Sequence, residues 1–245
     1  MDKIGKYLFM AEPFHCDFKG LLMMGHLGNH MLNAADFHST DRGFGMKYLN
    51  TINKTWVLSR LAIEMTEMPS QYEKFYVETW VENAMRFFTQ RNFRVVGEDG
   101  RVFGYGRSVW AMIDTESRQP TDLLAIHDGA ITEWIVKDKE CPIDKGGRVK
   151  MSNEAVLKRT IDTYYNDVDI NGHINSVKYI EHVLDLWDLA WYREHQIKRL
   201  EIAYVAEAHQ GDRLSFYQEE SGPQDFSIRI CRDENTEVVR CRVFF

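Results

Sequence analysis

The sequence predicts an α+β fold made twice over: two tandem repeats, each a long helix wrapped by an antiparallel sheet. Three observations carry this. "RLAIEMTEMPSQYEKF" (60–75) aligns without a gap on "RLEIAYVAEAHQGDRL" (199–214), at an offset of 139, keeping Arg-Leu-x-Ile and a closing run of acid, base, apolar. Gly25-His26-Leu27 lies over Gly172-His173-Ile174 at an offset of 147, which would make His26 the counterpart of His173. In both halves an apolar-striped segment comes first and a meander of strand signals follows.

The first helix is expected over about Lys19 to Phe37, with Leu21, Met24, Leu27, Met31, Leu32 and Ala35 on one stripe. Its Gly25 and Gly28 weaken the helix but allow close backbone approach. Arg91 to Asp114 alternates apolar and polar residues around Glu98-Asp99-Gly100, a hairpin signature. The stretch from Asp114 to Glu154 holds Pro120, Pro142 and Gly146-Gly147 and reads as a crossover, with one short helix near Asp128 to Val136. The second helix is expected from Ile174 to His195, striped by Val177, Ile180, Val183, Leu184, Trp187 and Trp191. Phe226 to Phe245 repeats the hairpin around Asp233-Glu234-Asn235. The domains expected are therefore 1–115, a linker over 116–155, and 156–245, each repeat with about five strands whose apolar face the helix covers.

Bulk properties exclude several classes. With 245 residues, 44% apolar and 27% charged, the chain can bury a full core. A net charge of −7 argues against a broad nucleic-acid surface. No run approaches the roughly 20 apolar residues of a membrane span, and "YLFMA" is too short for a signal segment, so a cytoplasmic protein is expected. Cys16, Cys141, Cys231 and Cys241 lack C-x-x-C spacing. Cys231 and Cys241 could meet across the last hairpin, but reduced thiols are expected. There is no Gly-rich phosphate loop and no Gly-x-Ser-x-Gly elbow, and neither a cofactor nor a metal is expected.

One motif stands apart. In "DVDINGHINSVKYIEHVLD" an acid, an amide and an imidazole occupy alternate positions, Asp169, Asn171 and His173, directly before the second helix. Taken alone, Asp169 and Asn171 read as helix caps and His173 as a core histidine.

The same run, with "RLEIAYVAEAHQGD", "TWVLSRLAIEM" and "RSVWAMID", resembles the acyl-acyl-carrier-protein thioesterases, a family that includes plant plastid enzymes. The similarity covers nearly the whole chain, and the lack of a transit extension resembles the bacterial members. The resemblance implies a double hotdog fold and hydrolysis of fatty acyl thioesters on acyl carrier protein, ending fatty acid elongation. It places the functional residues at Asp169, Asn171, His173 and Glu207. Plant relatives often have Cys after the glutamate; Ala208 stands there, so a thiol nucleophile at that position is excluded.

The chemistry fits these residue types. Hydrolysis needs an activated water and donors for a developing oxyanion. Glu207 is the expected base. His173 and Asn171 are the expected donors at the helix N-terminus, with Asp169 orienting them. In the first repeat Met68 takes the place of Glu207, so that repeat is expected to be inert. Its stripe, with Leu27 and Met31, is expected to bind the acyl chain. Lys178 and Arg199 are expected to dock the acidic carrier, whose phosphopantetheine bears the acyl group. The protein is expected to be a monomer or homodimer, with no nucleic-acid or membrane partner. The alternatives are a hotdog acyl-CoA thioesterase and a non-catalytic acyl-thioester-binding protein.

Overall fold

Alternating segments become strands and striped segments become helices, with the breaks set by side chains that bond the backbone. The computed structural model describes residues 2–152, 154–233 and 236–245. The chain divides into two units, Met1–Asp144 and Lys145–Phe245. The first contains β1 (Gly5–Met10), a 3-10 turn (Pro13–His15), α1 (Met24–Thr40), α2 (Met46–Leu49), β2 (Lys54–Met65), β3 (Lys74–Ala84), β4 (Phe88–Gly97), β5 (Val102–Asp114) and a kinked 3-10 segment (Leu123–Trp134). The second contains β6 (Val156–Asp162), a 3-10 turn (Tyr165–Asp167), α3 (Ser176–Leu184), α4 (Leu189–Glu194), β7 (Arg199–Tyr204), β8 (Arg213–Gly222), β9 (Asp225–Arg232) and β10 (Thr236–Phe244). The antiparallel strand orders are β1-β3-β4-β5-β2 and β6-β8-β9-β10-β7. Identical orders in the two units are what a duplicated hotdog requires.

The predicted hairpin in the first unit turns at Gly100, whose φ of +86° suits glycine, while Asp99 Oδ1 accepts the Arg101 N–H at 2.9 Å. In the second unit the predicted turn includes Glu234 and Asn235, which lie outside the described residues. Cys231 pairs across the hairpin with Glu237 and Cys241 with Ile228, so the two cysteines are not opposite; all four cysteines are free.

Helix α1 starts at Met24 rather than Lys19. The Asp17 carboxylate accepts the N–H groups of Lys19 (2.8 Å) and Leu21 (3.1 Å), which holds a turn where a helix was expected. The helix then runs on to Thr40 and buries Leu27 and Met31, both at 0% exposure, for roughly 1.5–3 kcal/mol each. A Cβ on Gly106 of β5 would lie 3.0 Å from Met31 Sδ, so that glycine makes room for the helix.

The second helix is not continuous. α3 stops at Leu184, and Asp188 caps α4 by accepting the Trp191 N–H at 2.8 Å. Trp187 and Trp191 therefore leave the expected stripe and pack edge-on against Phe226 and Phe245.

The expected linker over 116–155 is divided. Residues to Asp144 belong to the first unit: Val136, Cys141 and Ile143 pack on Trp80, and Arg107 donates to the carbonyls of Cys141 (2.6 Å) and Ile143 (2.8 Å). The short helix expected near Asp128 is a 3-10 segment that begins at Leu123 and kinks where His127, Asp128 and Gly129 take positive φ. No helix among the described residues is long and apolar enough to cross a membrane.

Candidate active site

The Asp169 loop is built by its first residue. Asp169 Oδ1 accepts the backbone N–H groups of Asn171 (2.8 Å) and His173 (3.3 Å). The Asp169 carbonyl accepts the Gly172 N–H at 3.0 Å, and its N–H donates to the His173 carbonyl at 2.8 Å. Gly172 supplies the positive φ of +81° that closes the turn. Asp169 thus shapes the main chain of the loop through backbone bonds.

The helix begins only after this loop. Asn175 is the cap, its side chain accepting the Val177 N–H at 2.9 Å, so neither Asp169 nor Asn171 caps α3. His173 lies ahead of the cap rather than on the first turn. A second bond fastens loop to helix: Asp167 Oδ1 pairs with His182 Nε2 at 2.9 Å.

The other half of the site arrives beyond β7. The Val205 N–H donates to Val238 (2.8 Å), and Thr163 Oγ1 donates to the carbonyls of His209 (2.9 Å) and Asp212 (2.8 Å). The Ile174 N–H donates to the Ala208 carbonyl at 2.8 Å, which brings the two segments side by side. As a result His173 Nε2 stands 3.3 Å from Glu207 Oε2, with side chains 25% and 38% exposed. This gives an imidazole and a carboxylate within reach of one water. Asn171 is exposed and joins the arrangement through its backbone N–H.

His209 was not among the expected site residues. Its ring meets that of His173 edge-on at 5.0 Å, and His173, Glu207 and His209 offer three ligand atoms within 4.8 Å of one another, a set able to hold a metal ion. The signal was the spacing Glu207-x-His209, which places both side chains on one side of an extended segment.

The docking pair fares differently. Arg199 is buried, at 9% exposure, and its Nε donates to Glu201 at 2.7 Å, so it is no outward-facing charge. It opens β7 on the same side as Glu201, opposite the buried Leu200 and Ile202, and is buried there all the same. Lys178 is half-buried, with Nζ 2.6 Å from Glu181.

The two units match at a register that the sequence identities hide. Cys16 bridges Leu22 as Val168 bridges Ile174, and the Leu22 N–H bonds Pro69 as the Ile174 N–H bonds Ala208. Asp17 therefore stands in the place of Asp169, an offset of 152 rather than 147. Leu21, not His26, is the counterpart of His173; His26 lies inside α1. Lys19 takes the place of Asn171. Met68 remains opposite Glu207 at the offset of 139.

Two family descriptions cover the chain: the acyl-ACP thioesterase N-terminal domain matches residues 8–127 and the C-terminal domain matches residues 150–243. The chain belongs to the acyl-ACP thioesterase family. An acyl-ACP thioesterase structure from Bacteroides thetaiotaomicron is 52% identical, covers 99% of this chain and 98% of its own, and superposes with a TM-score of 0.92. A 12:0-ACP thioesterase from Umbellularia californica shares the double hotdog fold at 18% identity, with a TM-score of 0.87 over 100% of this chain and 97% of its own. Oleoyl-acyl carrier protein thioesterase 2 of Arabidopsis thaliana is 25% identical over 75% of this chain and 52% of its own length. The chain spans about half the length of the curated plant relatives it matches.

Proposed function

We propose that this protein hydrolyses fatty acyl thioesters borne on the phosphopantetheine of acyl carrier protein, releasing the free fatty acid and so ending elongation. The observation that carries the chemistry is the 3.3 Å approach of Glu207 to His173, made by two separate segments bonded to each other at Ile174 and Ala208. Glu207 takes a proton from water as it attacks the thioester carbonyl. His173 holds the carboxylate in place through Nε2, and Glu207 hands the proton on to the departing thiolate, so that the free acid and the thiol are released. Asp169 acts at one remove, through the backbone of the loop that presents His173. The acyl chain is received along the α1 face of Leu27 and Met31. Family membership and the 52% identity to a bacterial acyl-ACP thioesterase structure support the carrier-borne substrate. A monomer or homodimer in the cytoplasm completes the reading, in keeping with four free cysteines.

The test is turnover on acyl carrier protein and on coenzyme A thioesters of the same graded chain lengths. Hydrolysis should favour the carrier. Lys178→Glu should raise KM for acyl carrier protein a few-fold while leaving the coenzyme A thioester unchanged, and physiological salt should weaken the carrier interaction in the same selective way. Equal or faster turnover of the coenzyme A thioesters would put the acyl-CoA reading first.

A further inference from the structure

A second cluster of ligand-type side chains lies in the first unit, away from the Asp169 loop in sequence and outside the residues just assigned. Glu12 precedes the 3-10 turn Pro13–His15, His15 ends that turn, and His30 faces it from α1. His15 Nδ1 is 3.1 Å from Glu12 Oε2, and His30 Nε2 is 3.8 Å from the same oxygen. The three residues present one ligand atom each, all within 4.8 Å of one another. Ligands at about 2.0–2.1 Å around a tetrahedral zinc ion stand about 3.4 Å apart, so the two separations bracket a zinc-sized hole.

His30 supplies an independent pointer. It is 6% exposed, and its buried Nε2 makes no hydrogen bond. A buried imidazole nitrogen without such a bond is costly unless something else engages it. Burial lowers the pKa of His30, which keeps the ring in the neutral form that ligates metals. Phe9 and Phe75 pack on the ring and fix its plane. His26, one turn before His30 on α1, stacks on His15 at 4.1 Å between centroids and steadies that ring as well. The sequence holds the His26-x-x-x-His30 spacing, which runs against the expectation that no such histidine pair, and hence no metal, is present.

The second unit explains what such a site would do. At the register of 152, Asp167 occupies the place of His15 and His182 the place of His30. There the turn is tied to the helix by one direct bond of 2.9 Å. The first unit has two imidazoles at those positions and a carboxylate from Glu12 beside them. We propose that Glu12, His15 and His30 bind a divalent transition-metal ion, zinc above all, which clips the Pro13–His15 turn to α1. With His15 and Glu12 side chains 39% and 41% exposed, water completes the fourth position.

The experiment is zinc binding to the full chain, stripped with chelator and then titrated calorimetrically, with melting temperature and cobalt(II) visible absorption as parallel readouts. One zinc should bind at the cluster and raise the melting temperature. His15→Ala and Glu12→Gln alter half-exposed side chains and should still fold. Each should weaken binding at least about tenfold, since even supporting partners of metal ligands are worth that much. His209→Ala, at the other ligand set, should leave this binding intact. No zinc binding to the wild type would overturn the proposal. So would binding that survives His15→Ala and Glu12→Gln but disappears with His209→Ala, which would place the ion beside Glu207 instead.

Discussion

The turns Asp17–Leu21 and Asp169–His173 are one backbone written with two sets of side chains. Each starts with an aspartate whose Oδ1 accepts two N–H groups, at 2.8 and 3.1 Å in the first and 2.8 and 3.3 Å in the second. Each closes on a glycine with positive φ, +73° at Gly20 and +81° at Gly172. Each then bonds the segment that follows the β2 or β7 strand, at Pro69 or Ala208. What differs is the cargo: Lys19, Leu21 and Met68 against Asn171, His173 and Glu207. On the proposed reading the same carpentry serves both copies and the chemistry only one, and Asp169 is explained by the loop it builds before any catalytic role is needed.

The sharpest way to break this comparison is to treat the two facing positions alike. Glu207→Gln keeps shape and removes the base, and should lower kcat on the order of 10²–10⁴. Met68→Leu, at the equivalent place, should leave kcat within about twofold, as volume-conserving core changes do. Steady-state rates on one acyl carrier substrate decide it, and near-normal turnover by Glu207→Gln would remove Glu207 from the mechanism.

The next effect separates the units by acid. α3 stops at the counterpart of Leu32, but α1 continues and carries His38 into the core, where its Nε2 bonds the Lys3 carbonyl at 3.0 Å. Burial, then the nearby Arg91 charge, pushes this imidazole down to about 3. The unfolded chain takes up a proton near pH 6.5 and the folded one does not, so stability falls as pH drops from 6.5 toward 3. The loss is on the order of 3 kcal/mol by pH 4. Urea unfolding across that range should show a flatter slope for His38→Gln; an unchanged slope would refute the assignment.

Smaller still are the two aspartates. Asp17→Ala and Asp169→Ala should each cost about 1–2 kcal/mol of stability, because each frees two backbone donors. Only Asp169→Ala should also slow turnover, about tenfold to a hundredfold, through a displaced His173. Equal kinetic effects of the two changes would contradict the division of labour. Last, Met31→Trp should shift products toward shorter acids if the α1 stripe receives the acyl chain; a fall in melting temperature with an unchanged product profile would make Met31 core alone.

How far the sequence reached can be judged on the same residues. The strands were legible because alternation and a Glu98-Asp99-Gly100 turn act locally. The break at Asp188 was not read, since an apolar stripe continues through Trp187 and Trp191 while one side-chain cap diverts the chain. The register of the repeat was misread through Gly-His identities at 147. The turn itself carries the true mark, Asp-x-x-Gly at 17–20 and 169–172, because only the carboxylate and the positive φ are needed to build it. Resemblance alone singled out Glu207 and His173, and their approach depends on the bond between Ile174 and Ala208, which no local pattern announces. Arg199 was misplaced because the side of β7 opposite Leu200 and Ile202, which it shares with Glu201, is also covered at that position.

The stitched main chain of the Asp169 loop has a consequence for time as well as for shape. Five of the six amides from Asp169 to Ile174 donate hydrogen bonds within the loop or to Ala208. Surface loops ordinarily trade their amide protons with water quickly, but a proton held in this way is released only when its bond opens. In deuterated solvent this exposed loop should therefore exchange slowly, like the strands around it. His173 would then be offered to successive substrates by a part of the protein that scarcely moves between them.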